Sequence, residues 1–259
     1  MKDYTLKLLY SGSDGNAALL LSGEVAVLID AGKNAKALCT ALLEAGVAPE
    51  RLSAIFLTHE HRDHTSALDV FLKKYPVPVH TVTACAEKMR QRAGDALLAQ
   101  LVEHPPLFEV SVGNLHFHSF PTPHDSEGSV GYRITVKGKE ATHTIGYATD
   151  LGAVTPTVET ELTGCEAVVI ECNHDEAMLR EGPYPADLKR RIASRHGHLS
   201  NPDCAALCAR LSLSGTKRFL LAHLSETNNL PELALGEVKG AVGETAVVRT
   251  ACPFTPTEL

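Results

Sequence analysis

Apolar positions along the chain fall into two kinds of run. Short runs at residues 4–10, 17–21 and 24–29, alternating or continuous, predict consecutive strands. The polar loop Ser11-Gly12-Ser13-Asp14-Gly15-Asn16 interrupts them; it lacks the GK[ST] ending of a phosphate-binding loop, so its glycines read as turn formers. Residues 35–45 repeat apolar side chains at helical spacing and stop at Gly46. A buried-type strand at 54–57 runs into His59, and 66–75 reads as the helix after it. In the middle, 106–112 and 115–120 flank the hairpin corner Gly113-Asn114, and 129–136 pairs with 141–147 around Lys137-Gly138-Lys139. A strand at 167–171, helices at 175–181, 186–195 and 202–211, and a strand at 217–222 follow. The last hundred residues mix short strands with helices. Strand groups that are each followed by helices predict two sheets packed face to face and flanked by helices, an α/β sandwich in one domain over residues 1–259. No repeat and no linker rich in Pro, Gly or Ser divides it.

Composition narrows the partners. Of 259 residues 44% are hydrophobic and 21% charged, which suits a globular chain and excludes a disordered one. Twenty-four basic against 31 acidic residues leave a net charge of −7. That argues against a protein that coats nucleic acid by bulk charge and leaves room for a local basic groove. No run approaches the roughly 20 apolar residues of a membrane span, and the first ten residues read as a strand rather than a leader. Seven cysteines, odd in number and never in CxxC spacing, argue against a disulfide framework or a zinc ribbon. Cys204 and Cys208, four apart, are expected to share a buried helix face. A reduced cytoplasm is the expected location. The unusual count is histidine: 13, beside no tryptophan.

The histidines concentrate in Thr58-His59-Glu60-His61-Arg62-Asp63-His64, at the end of a predicted strand. There His59 and His61 can project toward one metal ion, while the turn through Arg62 brings Asp63 and His64 to a second. Imidazole nitrogen and carboxylate oxygen suit Zn²⁺, Mn²⁺ or Fe, and a pair of such ions is a standard hydrolytic device.

HxHxDH after an apolar strand is the signature of the metallo-β-lactamase superfamily, which this chain resembles over nearly its whole length. Leu28-Ile29-Asp30-Ala31-Gly32, Pro123-His124-Asp125, Tyr147-Ala148-Thr149-Asp150-Leu151-Gly152 and Leu221-Ala222-His223-Leu224-Ser225 look like the family's other motifs in order. The resemblance implies a four-layer αββα sandwich of two mixed sheets flanked by helices. It assigns one ion to His59, His61 and His124, the other to Asp63, His64 and His223, with Asp150 bridging and Asp30 bracing the metal loop. Within the superfamily, the 11–16 loop, Glu171-Cys172-Asn173-His174-Asp175, Gly197-His198-Leu199-Ser200-Asn201 and Ala222-His223-Leu224-Ser225-Glu226-Thr227-Asn228-Asn229 look like the YycJ/WalJ-type branch, similar in layout to ribonuclease Z and cyclic phosphodiesterases. Members are described as phosphodiesterases with 5′-to-3′ DNA exonuclease activity.

The expectation is therefore a dinuclear hydrolase (two Zn²⁺ or Mn²⁺, with Fe also suitable) that cleaves phosphodiesters through a metal-bridging hydroxide and acts on DNA. The leaving oxygen needs a proton, and His198, a non-ligand histidine in a short loop before a helix, is the candidate general acid; Asp63 joins it among the catalytic residues. Ser200 or Asn201 could cap that helix, whose N-terminal amides would favour a phosphate. His174 follows an apolar strand and stands near the cleft, and Asn16 belongs to the first loop; both join Ser200 and Asn201 as substrate-binding candidates. Arg191 and Arg195, four apart on the 186–195 helix, would share a face toward a phosphate backbone, with Lys73, Lys74, Lys88, Arg90 and Arg92 extending the basic path. His116 and His118 read as exposed on a sheet face with no carboxylate near, and His80, His104 and His143 as isolated. The alternatives are a hydrolase of small cyclic phosphodiesters, thioesters or lactones, and a metal-binding scaffold without turnover. Metal identity, oligomeric state and polarity of digestion stay open.

Overall fold

The computed structural model describes residues 3–252 and 255–259. In chain order β1 (Thr5–Tyr10), β2 (Ala17–Ser22), β3 (Val25–Ile29), β4 (Ala54–Phe56), β5 (Val79–Val82) and β6 (Leu101–His104) build a first sheet. A second follows from β7 (Glu109–Val112), β8 (Leu115–Pro121), β9 (Val130–Lys137), β10 (Thr142–Ala148), β11 (Ala167–Glu171), β12 (Arg218–Ala222) and β13 (Val247–Thr250), and β14 (Thr257–Glu258) returns to pair with β1. Each sheet has seven strands among the described residues, in the orders β14-β1-β2-β3-β4-β5-β6 and β13-β12-β11-β10-β9-β8-β7. In each, antiparallel strands give way to a parallel run, β3 to β6 in one and β10 to β13 in the other.

Strand alternation explains the layers. Val27 and Ile29 turn inward with Phe56, Phe117, Tyr132, Ile145 and Val169 to fill the space between sheets. Their neighbours Ala26 and Leu28 turn outward against α1 (Ala35–Glu44) and, beyond the short α2 (Arg62–Thr65), α3 (Leu68–Lys74). α4 (Thr83–Arg90) and α5 (Asp95–Leu98) follow on this side. Val168, Ile170 and Leu221 face the other way, against α6 (Pro156–Leu162) and, past α7 (Glu176–Glu181) and α8 (Ala186–Ile192), α9 (Asn201–Leu213) and α10 (Pro231–Val242). In the central parallel strands β3, β4, β11 and β12 both faces are covered, so those segments read as nearly unbroken apolar runs. With no tryptophan, the inner layer is filled by smaller rings, such as Phe56 stacked on Phe117 at 3.9 Å. This is the expected αββα sandwich.

The differences from expectation have physical causes. The helix expected at 66–75 is α3, Leu68–Lys74; the separate turn α2 precedes it, and the Ala67 N–H between them bonds the Ala31 carbonyl. The stretch holding β5, α4, α5 and β6, and separately the segment of α6, carried no assigned element; yet Thr155 caps α6 and Pro156 occupies its first turn, a start signal legible in the sequence. α8 ends at Ile192 rather than Arg195: the His198 N–H reaches back to the Ile192 carbonyl in a tight turn. Gly197 is required there, since a Cβ would stand 2.1 Å from that carbonyl. His80 and His104, isolated in sequence, meet across β5 and β6 at 2.9 Å. His116 and His118 are part-buried beside Glu109, against the expectation of no nearby carboxylate.

At the end of the sandwich away from the HxHxDH loop, His143 of β10 joins the sheets. Its Nδ1 lies 2.9 Å from Glu166 and its Nε2 3.1 Å from Asp3. Hydrogen bonds to Glu166 and Asp3 raise its protonation above the ordinary histidine value. A raised folded value means that the imidazolium form contributes stability below the unfolded value of about 6.5, and that this is lost as pH rises through the folded value. The melting-temperature gap between wild type and His143→Gln should be widest near pH 6 and close toward alkaline pH; a gap independent of pH would show that the charge is not what joins the sheets.

Candidate metal centre

The residues singled out from the sequence gather just beyond the C-terminal ends of parallel strands, on one rim. β3 leads into Asp30, β4 into Thr58 and His59, β10 into Asp150, and β12 into His223, while β11 ends in Glu171. Asp30, Asp150 and His223 take positive φ (63°, 54° and 56°), as does Lys33 at 55°. A side-chain-bearing residue in that region costs about 1–2 kcal/mol, so three strand ends are held strained where side chains must converge. Asp63 and His64 ride on the single turn of α2, with His61 before it. Gly32 lets the chain pass close beneath: a Cβ there would lie 1.9 Å from the Asp63 carbonyl.

Two clusters result. His59, His61 and His124 each offer one ligand atom within 4.8 Å of the others, and so do Asp63, His64, Asp150 and His223. Asp150 lies between: Oδ1 is 3.7 Å from His124 Nε2 and Oδ2 is 3.3 Å from His64 Nε2. Buried imidazoles are held from behind. His64 Nδ1 lies 2.8 Å from Asp30, itself anchored by the Thr58 N–H and hydroxyl. His124 Nδ1 faces the Gly197 carbonyl at 3.1 Å, His59 Nδ1 the Thr58 hydroxyl at 3.1 Å, and His223 Nδ1 the Glu171 carboxylate at 2.8 Å. A carboxylate or carbonyl only accepts, so Nδ1 of His64, His124 and His223 carries a proton and Nε2 is the nitrogen turned inward, free to meet a cation when it gives up any proton of its own, the usual arrangement behind metal ligands.

Those inward atoms fit a cation. His59 Nε2, His223 Nε2 and Asp150 Oδ2 are buried without a hydrogen-bond partner, a condition that costs about 1–3 kcal/mol each if nothing meets them. Burial opposes charge on His64 and His223, but Asp150 and the other carboxylates outweigh it and hold both well above the ordinary histidine value. Burial and the surrounding imidazoles push His59 well below it. The site thus concentrates negative charge that draws cations, and a divalent ion would replace protons there. The nitrogen and oxygen donor set suits Zn²⁺, Mn²⁺ or Fe.

Glu171 is the residue that sequence reasoning missed. It is fully buried; Oε2 accepts from the Leu151 and Leu199 N–H groups, and Oε1 receives both His198 Nδ1 and His223 Nδ1 at 2.8 Å. Burial would raise its carboxyl, but the two histidines hold it well below the usual range. Burial also works against a charged His198, and Glu171 reverses this and raises it. The available signal was an acid closing the apolar run Ala-Val-Val-Ile.

The remaining candidates separate. A cavity of about 290 Å³ opens over the clusters, lined by His61, Asp63, His124, Asp150, His198 and Arg191 among others. Arg191 pairs with Asp125 at its mouth. Arg195, expected on the same helix face, lies exposed in the turn after α8 and lines no described cavity. Asn16 turns inward at 2% exposure, its amide 3.3 Å from Asp63 and 3.1 Å from His64. Asn201 is buried against Asn229. Ser200 caps α9, and the amides expected to favour a phosphate are taken: Asn201 N–H by the His174 carbonyl, Asp203 N–H by the Ser200 hydroxyl, with Pro202 offering none. Lys88, Arg90 and Arg92 engage Glu127, Glu103 and the Glu60 carbonyl, so the basic path does not extend into the cleft.

Comparison with known proteins agrees with this geometry. A model of the β-lactamase superfamily domain matches residues 26–224. The chain is 34% identical to the exodeoxyribonuclease YycJ of Bacillus anthracis, over 97% of each chain. It is 32% identical to the exodeoxyribonuclease WalJ of Streptococcus pneumoniae, over 99% of this chain and 97% of that one. The solved metallo-β-lactamase fold protein YhfI of Bacillus subtilis superposes over 100% of both chains with a TM-score of 0.75 at 18% identity, a likeness of fold.

A Glu171→Gln side chain keeps the shape but must turn its oxygen toward the Leu151 and Leu199 amides and its NH₂ toward the two histidines. His223 would then lose the proton pattern that frees Nε2. Metal content after dialysis, or turnover, should fall about 10–100-fold with the fold retained by circular dichroism; unchanged metal content and turnover would show that Glu171 does not set His223.

Proposed function

The chain belongs to the β-lactamase superfamily and is a metal-dependent hydrolase, and from that premise we propose that it cleaves the phosphodiester bonds of DNA, removing nucleotides from the 5′ end. The observation that carries this reading is the 34% identity to an exodeoxyribonuclease over 97% of both chains, joined to a site in which every expected ligand is within reach. His59, His61 and His124 would hold one divalent ion, Asp63, His64 and His223 a second, and Asp150 would lie between them. When bound, such ions supply Lewis-acid stabilisation of phosphoryl charge and an activated nucleophile at neutral pH.

The chain's own residues do the rest. Glu171 keeps a proton on His198 Nδ1, which leaves Nε2 as the nitrogen that can give a proton to the departing oxygen. The ring lies 5.2 Å, centre to centre, from both His124 and His223, so it borders both clusters; it belongs to neither, although its donor atom also lies within 4.8 Å of those of Asp150, Glu171 and His223. Arg191 stands at the mouth of the cleft, where its charge can meet a phosphate; with a net charge of −7 the grip on DNA is local and weakens with salt. The narrow cleft of about 290 Å³ also suits a small diester, which is the competing reading.

The deciding experiment uses 5′-end-labelled double-stranded DNA, metal-loaded protein, and the double variant His59→Ala, His61→Ala beside it. Stepwise release of nucleotides from the 5′ end, lost in the variant, is expected. Intact DNA with hydrolysis of a small phosphodiester would replace this reading with the small-molecule one. In the same assay His198→Ala should keep its metal and lose roughly 10²–10⁴-fold in turnover; undiminished turnover would remove His198 from the mechanism.

A further inference from the structure

α8 buries no residue, which is unusual for a helix in an αββα sandwich. Its faces are occupied otherwise. Leu188, Arg191 and Ile192, at helical spacing, line the cleft over the metal clusters. Ala186, Lys189, Arg190 and Ala193, on the other face, line a second cavity of about 480 Å³. α8 is therefore a partition, and His198 lines both spaces. The second cavity is completed by Leu179 and Arg180 of α7, by His174, and by Ser200 and Asp203 at the start of α9.

We propose that this second cavity receives the sugar and base of the 5′-terminal nucleotide, so that the enzyme takes hold of one unpaired nucleotide at a time; the inference rests on the exonuclease reading above. In that reaction a water oxygen joins phosphorus and the P–O3′ bond breaks. O3′ takes a proton from His198, and the water's proton passes to solvent. The strand keeps the phosphate on its new 5′ end, and the terminal nucleotide leaves with a 3′-hydroxyl. The fragment carrying O3′ therefore lies on the far side of His198 from the clusters, where the second cavity opens.

The lining fits a nucleoside with its phosphate outward. A volume of about 480 Å³ is of small-molecule-site size. Leu179, Ala186 and Ala193 offer apolar wall to a ring. His174 is 3% exposed and its Nδ1 has no partner, so a polar group of the base or sugar would meet a need that the fold leaves unmet. The floor rejects phosphate: the first amides of α9 are taken, and Asp203 and Glu176 are acidic. Cations stand on α7 and α8 instead, at Arg180, Lys189 and Arg190: the ion pairs Arg180–Glu181 and Arg190–Asp187 are exposed and cheap to exchange for a terminal 5′-phosphate, and Lys189 Nζ donates to the Arg180 carbonyl.

Calorimetric titration of the metal-loaded protein with deoxyadenosine 5′-monophosphate and with deoxyribose 5-phosphate tests this, because the ligands differ only in the base. The nucleotide should bind at least about tenfold tighter, about 1.4 kcal/mol, and Ala193→Trp, which fills the cavity from an exposed position, should reduce the difference below about twofold. Ala186→Trp is a second filling variant if the first is poorly folded. Equal affinity of the two ligands for wild type, or a difference that survives both substitutions, would overturn the proposal. Failure of the exonuclease reading would show separately, as DNA left intact by wild type, whereas failure of the cavity alone would leave stepwise digestion in place.

Discussion

Three carboxylates with almost no access to water, those of Asp30, Asp150 and Glu171, meet a fourth from Asp63 on one rim of the sandwich. Burial strengthens their mutual repulsion, and the fold has to answer it locally. It does so with imidazoles. Each carboxylate is faced by a histidine, and most of those histidines point a second nitrogen at a common centre. The unpartnered atoms that remain, His59 Nε2, His223 Nε2 and Asp150 Oδ2, lie where positive charge is still owed. The divalent-metal binding that the His/Asp clusters suggest thus has its physical counterpart in an electrostatic imbalance at the end of the sheets.

The two-sheet architecture makes that imbalance possible. Parallel strands of both sheets end on the same rim, and each can deliver a side chain there after a single backbone step. Apolar packing on both sides of the strands holds the rim rigid, so the left-handed conformations of Asp30, Asp150 and His223 persist although each costs free energy. The backbone strain and the side-chain convergence are the same feature described at two scales.

Glu171 links this centre to the outer wall of the site. One of its oxygens holds two backbone amides and the other two imidazoles, so His223 and His198 share one orienting group. His198 in turn is delivered by the turn after α8, the helix whose two faces line two different spaces. The turn that positions His198 therefore also separates the space over the clusters from the second cavity beyond it.

Much of this was legible in the sequence. The strands from 4 to 29, the Gly113-Asn114 hairpin and the strand at 167–171 follow from period-two and continuous apolar runs, since a sheet buried on both faces imprints itself locally. His59, His61, Asp63 and His64 stand out by spacing, and His124, Asp150 and His223 by their resemblance to the family's ordered motifs. What the sequence could not determine was anything decided by contacts between distant segments. Glu171 looks like one more acid until the fold sets His198 and His223, 27 and 52 residues away, against the same oxygen. Arg191 and Arg195 look like one basic face until the chain turns back at Gly197 to bring His198 to the cleft. The amides of α9 look free for a phosphate until His174 and Ser200 take them. Hydrophobic periodicity is a local property and survives in one dimension; hydrogen-bond partnership and charge compensation depend on which segments the packed sheets bring together, and the tertiary structure alone decides that.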